Sequence, residues 1–145
     1  MEYHELTKCF PRADFDRVFS WERCDIDAEF LGFTDQYKAL ASIIPKNRII
    51  FDFGCAYAPQ CYYFKDHKKY IGVEVDNCEQ FKMDNTEHYH MSIQKFIAEE
   101  LPKFDIEHTP CFAICNYVPD EKAVELVRKT FKDVFAFYPR GTIFD

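Results

Sequence analysis

Arg48-Ile49-Ile50-Phe51-Asp52-Phe53-Gly54-Cys55-Ala56-Tyr57-Ala58-Pro59-Gln60 is the stretch on which the reading of this chain turns. Six residues rich in β-formers run without a polar break until Asp52, then stop at a glycine. A short, nearly continuous apolar run of this kind suits a strand buried on both faces, as in the middle of a parallel sheet. Small residues follow, and Pro59 sits where a helix can begin, because its missing amide has no partner in a first turn. Strand, small-residue turn and helix start therefore stand in direct succession.

The pattern repeats outward from this point. Before it, Thr34 can cap a helix in which Tyr37, Leu40, Ala41 and Ile44 share one face, ended by Pro45. After it, Tyr70-Ile71-Gly72-Val73-Glu74-Val75 reads as a second strand and Glu87 to Met91 as a third. Ser92 caps a helix with Ile93, Phe96, Ile97 and Leu101 on one side, closed by Pro102. Cys111 to Cys115 forms a fourth strand ending at Asn116. A helix opened by Pro119, Asp120 and Glu121 carries Val124, Leu126, Val127 and Phe131, and Val134 to Tyr138 is the fifth strand. Regular alternation of strands and helices predicts an α/β, three-layer Rossmann-like domain of about five parallel strands with helices on both faces.

The 145 residues suffice for one domain: residues 34–145 form the α/β core, and residues 1–33 form a helical or irregular extension. That extension mixes charge with Phe10, Phe15, Phe19, Trp21, Phe30 and Phe33, too many rings for a free tail, and is expected to pack as a lid or strap. Asp14 to Trp21 carries a weak helical signal. The fifth strand would otherwise be an open apolar edge, so either residues 1–33 cover it or two copies pair there as a homodimer.

Composition limits the function classes. A net charge of -7 repels phosphate backbones and disfavours nucleic-acid binding. Lys65, Lys68 and Lys69, the densest basic patch, read as a solvated loop. Seven cysteines, an odd number with no CxxC pair, and an N-terminus without a basic start and apolar run point to a reduced, cytoplasmic protein. No stretch is long and apolar enough to span a membrane. His88 and His90 alternate along one strand, but two ligands do not make a zinc site.

In open parallel sheets, ligands bind beyond the carboxyl ends of the strands. Those ends carry Asp52 to Gln60, then Glu74 with Asp76, then Ser92, then Asn116-Tyr117-Val118-Pro119. Glu74 lies twenty residues beyond Gly54, the spacing at which a carboxylate reaches an adenosyl ribose. A dinucleotide site would place glycines where Ala56 and Pro59 stand, so a nicotinamide cofactor is disfavoured.

Asp52-x-Gly54-x-Ala56-x-Ala58 resembles the first motif of class I S-adenosylmethionine-dependent methyltransferases, an acid followed by three alternating glycines. Ile71-Gly72-Val73-Glu74 is similar to that family's second motif, and Asn116-Tyr117-Val118-Pro119 more loosely to its fourth. The resemblance covers Arg48 to Tyr138. It implies S-adenosylmethionine as cofactor, with Asp52, Phe53, Gly54, Cys55, Ala56, Glu74 and Ser92 as its binding set. Asp52 and the Gly54–Cys55 backbone would hold the methionine end, Glu74 the ribose, and Ser92 would stand where an acid often meets the adenine amine. Asn116 and Tyr117 would orient a small methyl acceptor. Two departures stand out: Ala56 and Ala58 replace motif glycines, and only Arg140 to Asp145 follow the fifth strand, which leaves no room for the family's usual sixth and seventh.

Plainer roles are open for the same residues. Asp52 and Glu74 also suit strand-end carboxylates that cap amides, Asn116 a turn residue, and Ser92 a simple helix cap. Buried cysteines are mostly small hydrophobes, although Cys55 at a helix start is placed for a lowered thiol pKa. A second function class accordingly stands beside the enzyme. It is a catalytically inactive methyltransferase-fold protein that binds the cofactor, or a protein partner, or inhibits a nucleic-acid-binding protein by acidic mimicry.

Overall fold

The computed structural model of the chain describes residues 20–21, 33–76 and 80–137. Its centre is strand β2 (Ile49–Phe53), buried at every residue. β3 (Lys69–Glu74) pairs with one side of β2 and β5 (Cys111–Asn116) with the other, both parallel. A strand flanked on both sides and covered on both faces tolerates apolar side chains throughout, which is why Ile49 to Phe53 shows no alternation. β4 (Thr86–His90) extends the sheet beyond β3, and β6 (Val134–Phe137) extends it beyond β5, again parallel. At the outer side of β6 lies β1 (Ser20–Trp21), antiparallel, with Ser20 opposite Ala136 and Trp21 opposite Phe135. The order is β1-β6-β5-β2-β3-β4. Five parallel strands with helices make this an α/β Rossmann-like fold, as the alternation predicts.

The pleat sends alternate side chains to two apolar layers. On one face Ile50, Tyr70, Phe112, Ile114 and Phe135 pack beneath helix α1 (Phe33–Ile43) and a 3₁₀ helix (Pro59–Phe64). On the other, Phe51, Phe53, Ile71, Val73 and Cys115 meet the helical stretch that opens with α2 (Ile93–Lys95) and helix α3 (Glu121–Thr130). Phe51, Phe53, Phe96 and Phe131 form a ring cluster there, with Phe51 and Phe131 centroids 5.1 Å apart. Connections leaving β2 toward β3 use the first face, and those on the β5 side use the second. The chain therefore reverses direction between β2 and β5, the switch point at which such sheets open a crevice.

Several local expectations are corrected. Thr34 lies within α1 rather than before it. The helix that Pro59 opens is a short 3₁₀ helix. Only a brief crossover separates β2 from β3, and the tighter helix covers the sheet in fewer turns. The helix after Ser92 is not a single α-helix: α2 gives way to a π-helical turn over Phe96–Glu100 and then a 3₁₀ turn over Leu101–Lys103. Pro102 has no amide to continue the ladder, and the Leu101 amide reaches back to the Phe96 carbonyl. Ser20–Trp21 is strand where the sequence carries a weak helical signal. The rest of the 1–32 reading, with its lid or strap, and Tyr138 at the end of the fifth strand lie outside the described residues. No helix among the described residues is long and apolar enough to cross a membrane.

Candidate functional site

A cleft of about 600 Å³ opens at the carboxyl ends of β2 to β5. The turn after β2, the end of β3, the residues after β4 and the loop from β5 into α3 each supply one wall. Gly54, Ala56, Glu74, Ser92, Asn116 and Tyr117, all candidates on sequence grounds, line it together. Their positions are set by strand register. Phe53 pairs with Val73 and with Cys115, and Glu74 with His90, so the four ends finish at one level.

The turn after β2 has an unusual backbone. Gly54, Ala56 and Ala58 have φ of 73°, 53° and 61°, all left-handed. These are the three alternating positions of the motif, so the glycine preference there has a conformational cause. Two alanines hold the same shape at a strain of roughly 1 kcal/mol each. The turn survives because it is tied from several directions. The Gly54 and Cys55 amides donate to the Val73 carbonyl, at 2.7 and 3.2 Å, and the Ala58 amide donates to the Cys55 carbonyl at 2.9 Å. Gly54 also has no room for a side chain, since a Cβ would meet Val118 Cγ2 at 2.9 Å.

Glu74 is the bridge between β2 and β3. Its Oε1 accepts from the Ala56 amide at 2.8 Å and its Oε2 from the Asp76 amide at 3.1 Å. It thus caps amides and lines the cleft at once. Each carboxylate oxygen retains capacity for a further donor. Ser92 likewise combines both readings: its Oγ accepts from the Lys95 amide at 3.1 Å as N-cap of α2, and it faces the cleft.

Asn116 ends β5 fully buried, and neither its Oδ1 nor its Nδ2 has a hydrogen-bond partner among the described residues. An unsatisfied buried amide costs about 1–3 kcal/mol, which a ligand offering both a donor and an acceptor would recover. Tyr117 follows with φ 65°, fixed by its amide to the Phe137 carbonyl at 2.8 Å. Burial pushes its phenol well up from the ordinary value. Asp120 caps α3 through the Ala123 amide at 3.1 Å and accepts from Gln94 Nε2 at 3.0 Å across the cleft wall. These bonds, that from Gln94 first, lower its pKa.

Asp52, Phe53 and Cys55 do not line the cleft. Alternation along β2 explains the first two. Phe53 packs into the ring cluster on the α3 face, while Asp52 points to the α1 face and is completely buried. There it accepts from Tyr37 Oη at 2.9 Å, Gln60 Nε2 at 2.8 Å and Tyr70 Oη at 2.5 Å. Burial pushes its pKa up to about 6, against the opposing effect of the three donors. The Cys55 thiol turns under the loop, where Gln80 Nε2 lies 3.3 Å from its sulfur. Sequence reasoning misses Gln60, whose signal is a lone amide side chain in the otherwise apolar and aromatic run Pro59–Phe64. It also gives Val75 and Ile93, which line the cleft beside Glu74 and Ser92, nothing beyond secondary structure.

No group of three or more His, Cys, Asp or Glu among the described residues is arranged to hold a metal ion. Fold and cleft together define a Rossmann-like protein with a ligand-sized crevice at its switch point. Compared with known proteins, the chain matches no family model and no curated sequence.

Proposed function

We propose that this chain is an S-adenosylmethionine-binding, methyltransferase-like protein that uses the strand-end cleft. The observation that carries the reading is the charge of the cleft: Glu74, Asp76 and Asp120 line it, and among the described residues no Lys, Arg or His does. Such a wall repels the pyrophosphate of a dinucleotide and favours a ligand bearing a sulfonium and an ammonium group. Pro59 supports the same choice, since it removes an amide from the helix start that a phosphate would seek. Asn116 lines the same cleft, and its buried amide has no hydrogen-bond partner among the described residues.

The bound cofactor supplies an electrophilic methyl group. Methyl transfer there would be a displacement in which the acceptor's lone pair replaces the sulfur–carbon bonding pair, which would remain with sulfur, and any acceptor proton would pass to solvent. Orientation matters more than acid–base catalysis in such an in-line displacement. On this reading Glu74 would bind the ribose hydroxyls, and Asn116 and Tyr117 would orient a small acceptor. A second reading, a catalytically inactive protein of this fold acting through a protein partner, is favoured by Ala56, which lines the cleft where the motif has glycine.

Calorimetric titration with S-adenosylmethionine, S-adenosylhomocysteine and a nicotinamide dinucleotide tests the proposal. Micromolar binding of the first two, lost in Glu74→Ala and absent for the dinucleotide, is the expected result. Binding of the dinucleotide alone would overturn it. A screen for methyl transfer to small acceptors then separates the two readings.

A further inference from the structure

We propose that Asp52 and Gln60 form a positioning clamp that shapes the ligand loop from beneath, on the α1 side of the sheet, without touching the ligand. This inference rests on the reading that the cleft binds a ligand, and concerns how its floor is held. Gln60 Nε2 donates to Asp52 Oδ2 at 2.8 Å and to the Cys55 carbonyl at 3.0 Å. An amide nitrogen has two hydrogens, and this geometry directs one to the carboxylate and one to the loop. The Cys55 carbonyl lies between Gly54, Ala56 and Ala58, the three left-handed residues. Strained backbone of this kind persists only where surrounding contacts over-determine it. Two carboxylates do so at the Cys55–Ala56 peptide group: Glu74 grips the Ala56 amide directly, and Asp52 acts on the Cys55 carbonyl through Gln60.

Asp52 is itself fixed from two further elements, by Tyr37 of α1 and Tyr70 of β3. Among the described residues, the other titratable groups near it are Glu74 of β3, Cys55 of the loop, Cys61 of the 3₁₀ helix and Cys115 of β5. None of these is a cation. Burial pushes the Asp52 pKa up to about 6, against the lowering effect of its three donors. The ionised carboxylate makes charge-assisted hydrogen bonds, roughly twice as strong as neutral ones. Ionisation therefore tightens the Gln60 bridge and with it the loop, and protonation loosens both.

The test uses the full chain with wild type, Asp52→Asn and Gln60→Met, read by amide NMR of Gly54, Cys55 and Ala56 from about pH 5 to about pH 8. In the wild type these amides should shift with a midpoint of about 6. The response should vanish in Asp52→Asn. In Gln60→Met the Tyr37 and Tyr70 rings should still report the titration, while the loop amides no longer follow it. Identical loop titrations in wild type and Gln60→Met would overturn the clamp, as would no titration of the loop in wild type. If Asp52→Asn does not fold, Gln60→Met decides the matter alone. Affinity for S-adenosylmethionine should weaken about fivefold from neutral to mildly acidic pH in wild type and stay level in Asp52→Asn. Equal pH dependence in both proteins would overturn the clamp. Absence of binding at every pH would instead overturn the proposed cofactor, with the loop measurement still deciding the clamp.

Discussion

At the residue scale, Asp52 shows how one side chain can lower stability while serving a site. It is fully buried with three donors, and its pKa rises to about 6. A carboxyl whose folded-state pKa exceeds its unfolded value stabilises the fold when protonated. That contribution is complete below the ordinary aspartate range and disappears as pH rises through about 6. The loss is on the order of 3 kcal/mol, since each tenfold change in an acidity constant corresponds to about 1.36 kcal/mol. Urea unfolding across this range should show the wild type losing stability relative to Asp52→Asn as pH rises. A parallel pH dependence of the two proteins would contradict the assignment. Ala56 and Ala58 are a related case, left-handed residues kept in strain, the first lining the cleft and the second buried beside it.

At the element scale, the turn after β2 depends on how closely its neighbours pack. Gly72 in β3 is the contact point beneath it. A Cβ there would meet Cys55 Sγ and His88 Nδ1, each at 2.9 Å, and Tyr70 Cε1 at 3.3 Å. Cys55 belongs to the ligand loop and His88 to β4, so a methyl group at Gly72 would press on both. Gly72→Ala should destabilise the protein by roughly 1–3 kcal/mol, the usual cost of overpacking. It should also weaken ligand binding, because Cys55 must move. Thermal unfolding and calorimetry on the same variant would check the pair of effects. Unchanged stability would show that the sulfur and the imidazole can give way without cost.

At the scale of the whole molecule, the sheet has two edges with different protection. β6 is apolar and buried along its length, and β1 pairs with its outer side. β4 carries polar residues at its edge, and its Glu87 forms an ion pair with Lys69 of β3. An uncovered apolar edge strand is a template for pairing with another chain. A truncated protein lacking residues 1–32, and so β1, should self-associate, and light scattering beside the full chain would measure it. A truncated chain no more associated than the full one would show that two residues of β1 pairing matter little.

The sequence by itself was enough for the order of the five parallel strands and for where the first and fourth of them end. Ile49 to Phe53 reads as a central strand because both its faces are buried, and Asp120 reads as a helix opener because capping is local chemistry. That Gly54, Ala56, Glu74, Ser92, Asn116 and Tyr117 line one cleft is legible in the sequence, because strand-end position follows from the alternation of elements. Only the tertiary structure decided which side of the sheet each residue serves. It sent Asp52 away from the cleft to meet Tyr37, Tyr70 and Gln60, which lie up to eighteen residues away in the chain. It left the Asn116 amide without a partner among the described residues and made the two alanines adopt glycine's conformation. Propensity and spacing act over a few residues, whereas hydrogen-bond partners and backbone strain depend on what the rest of the fold brings within about 3 Å.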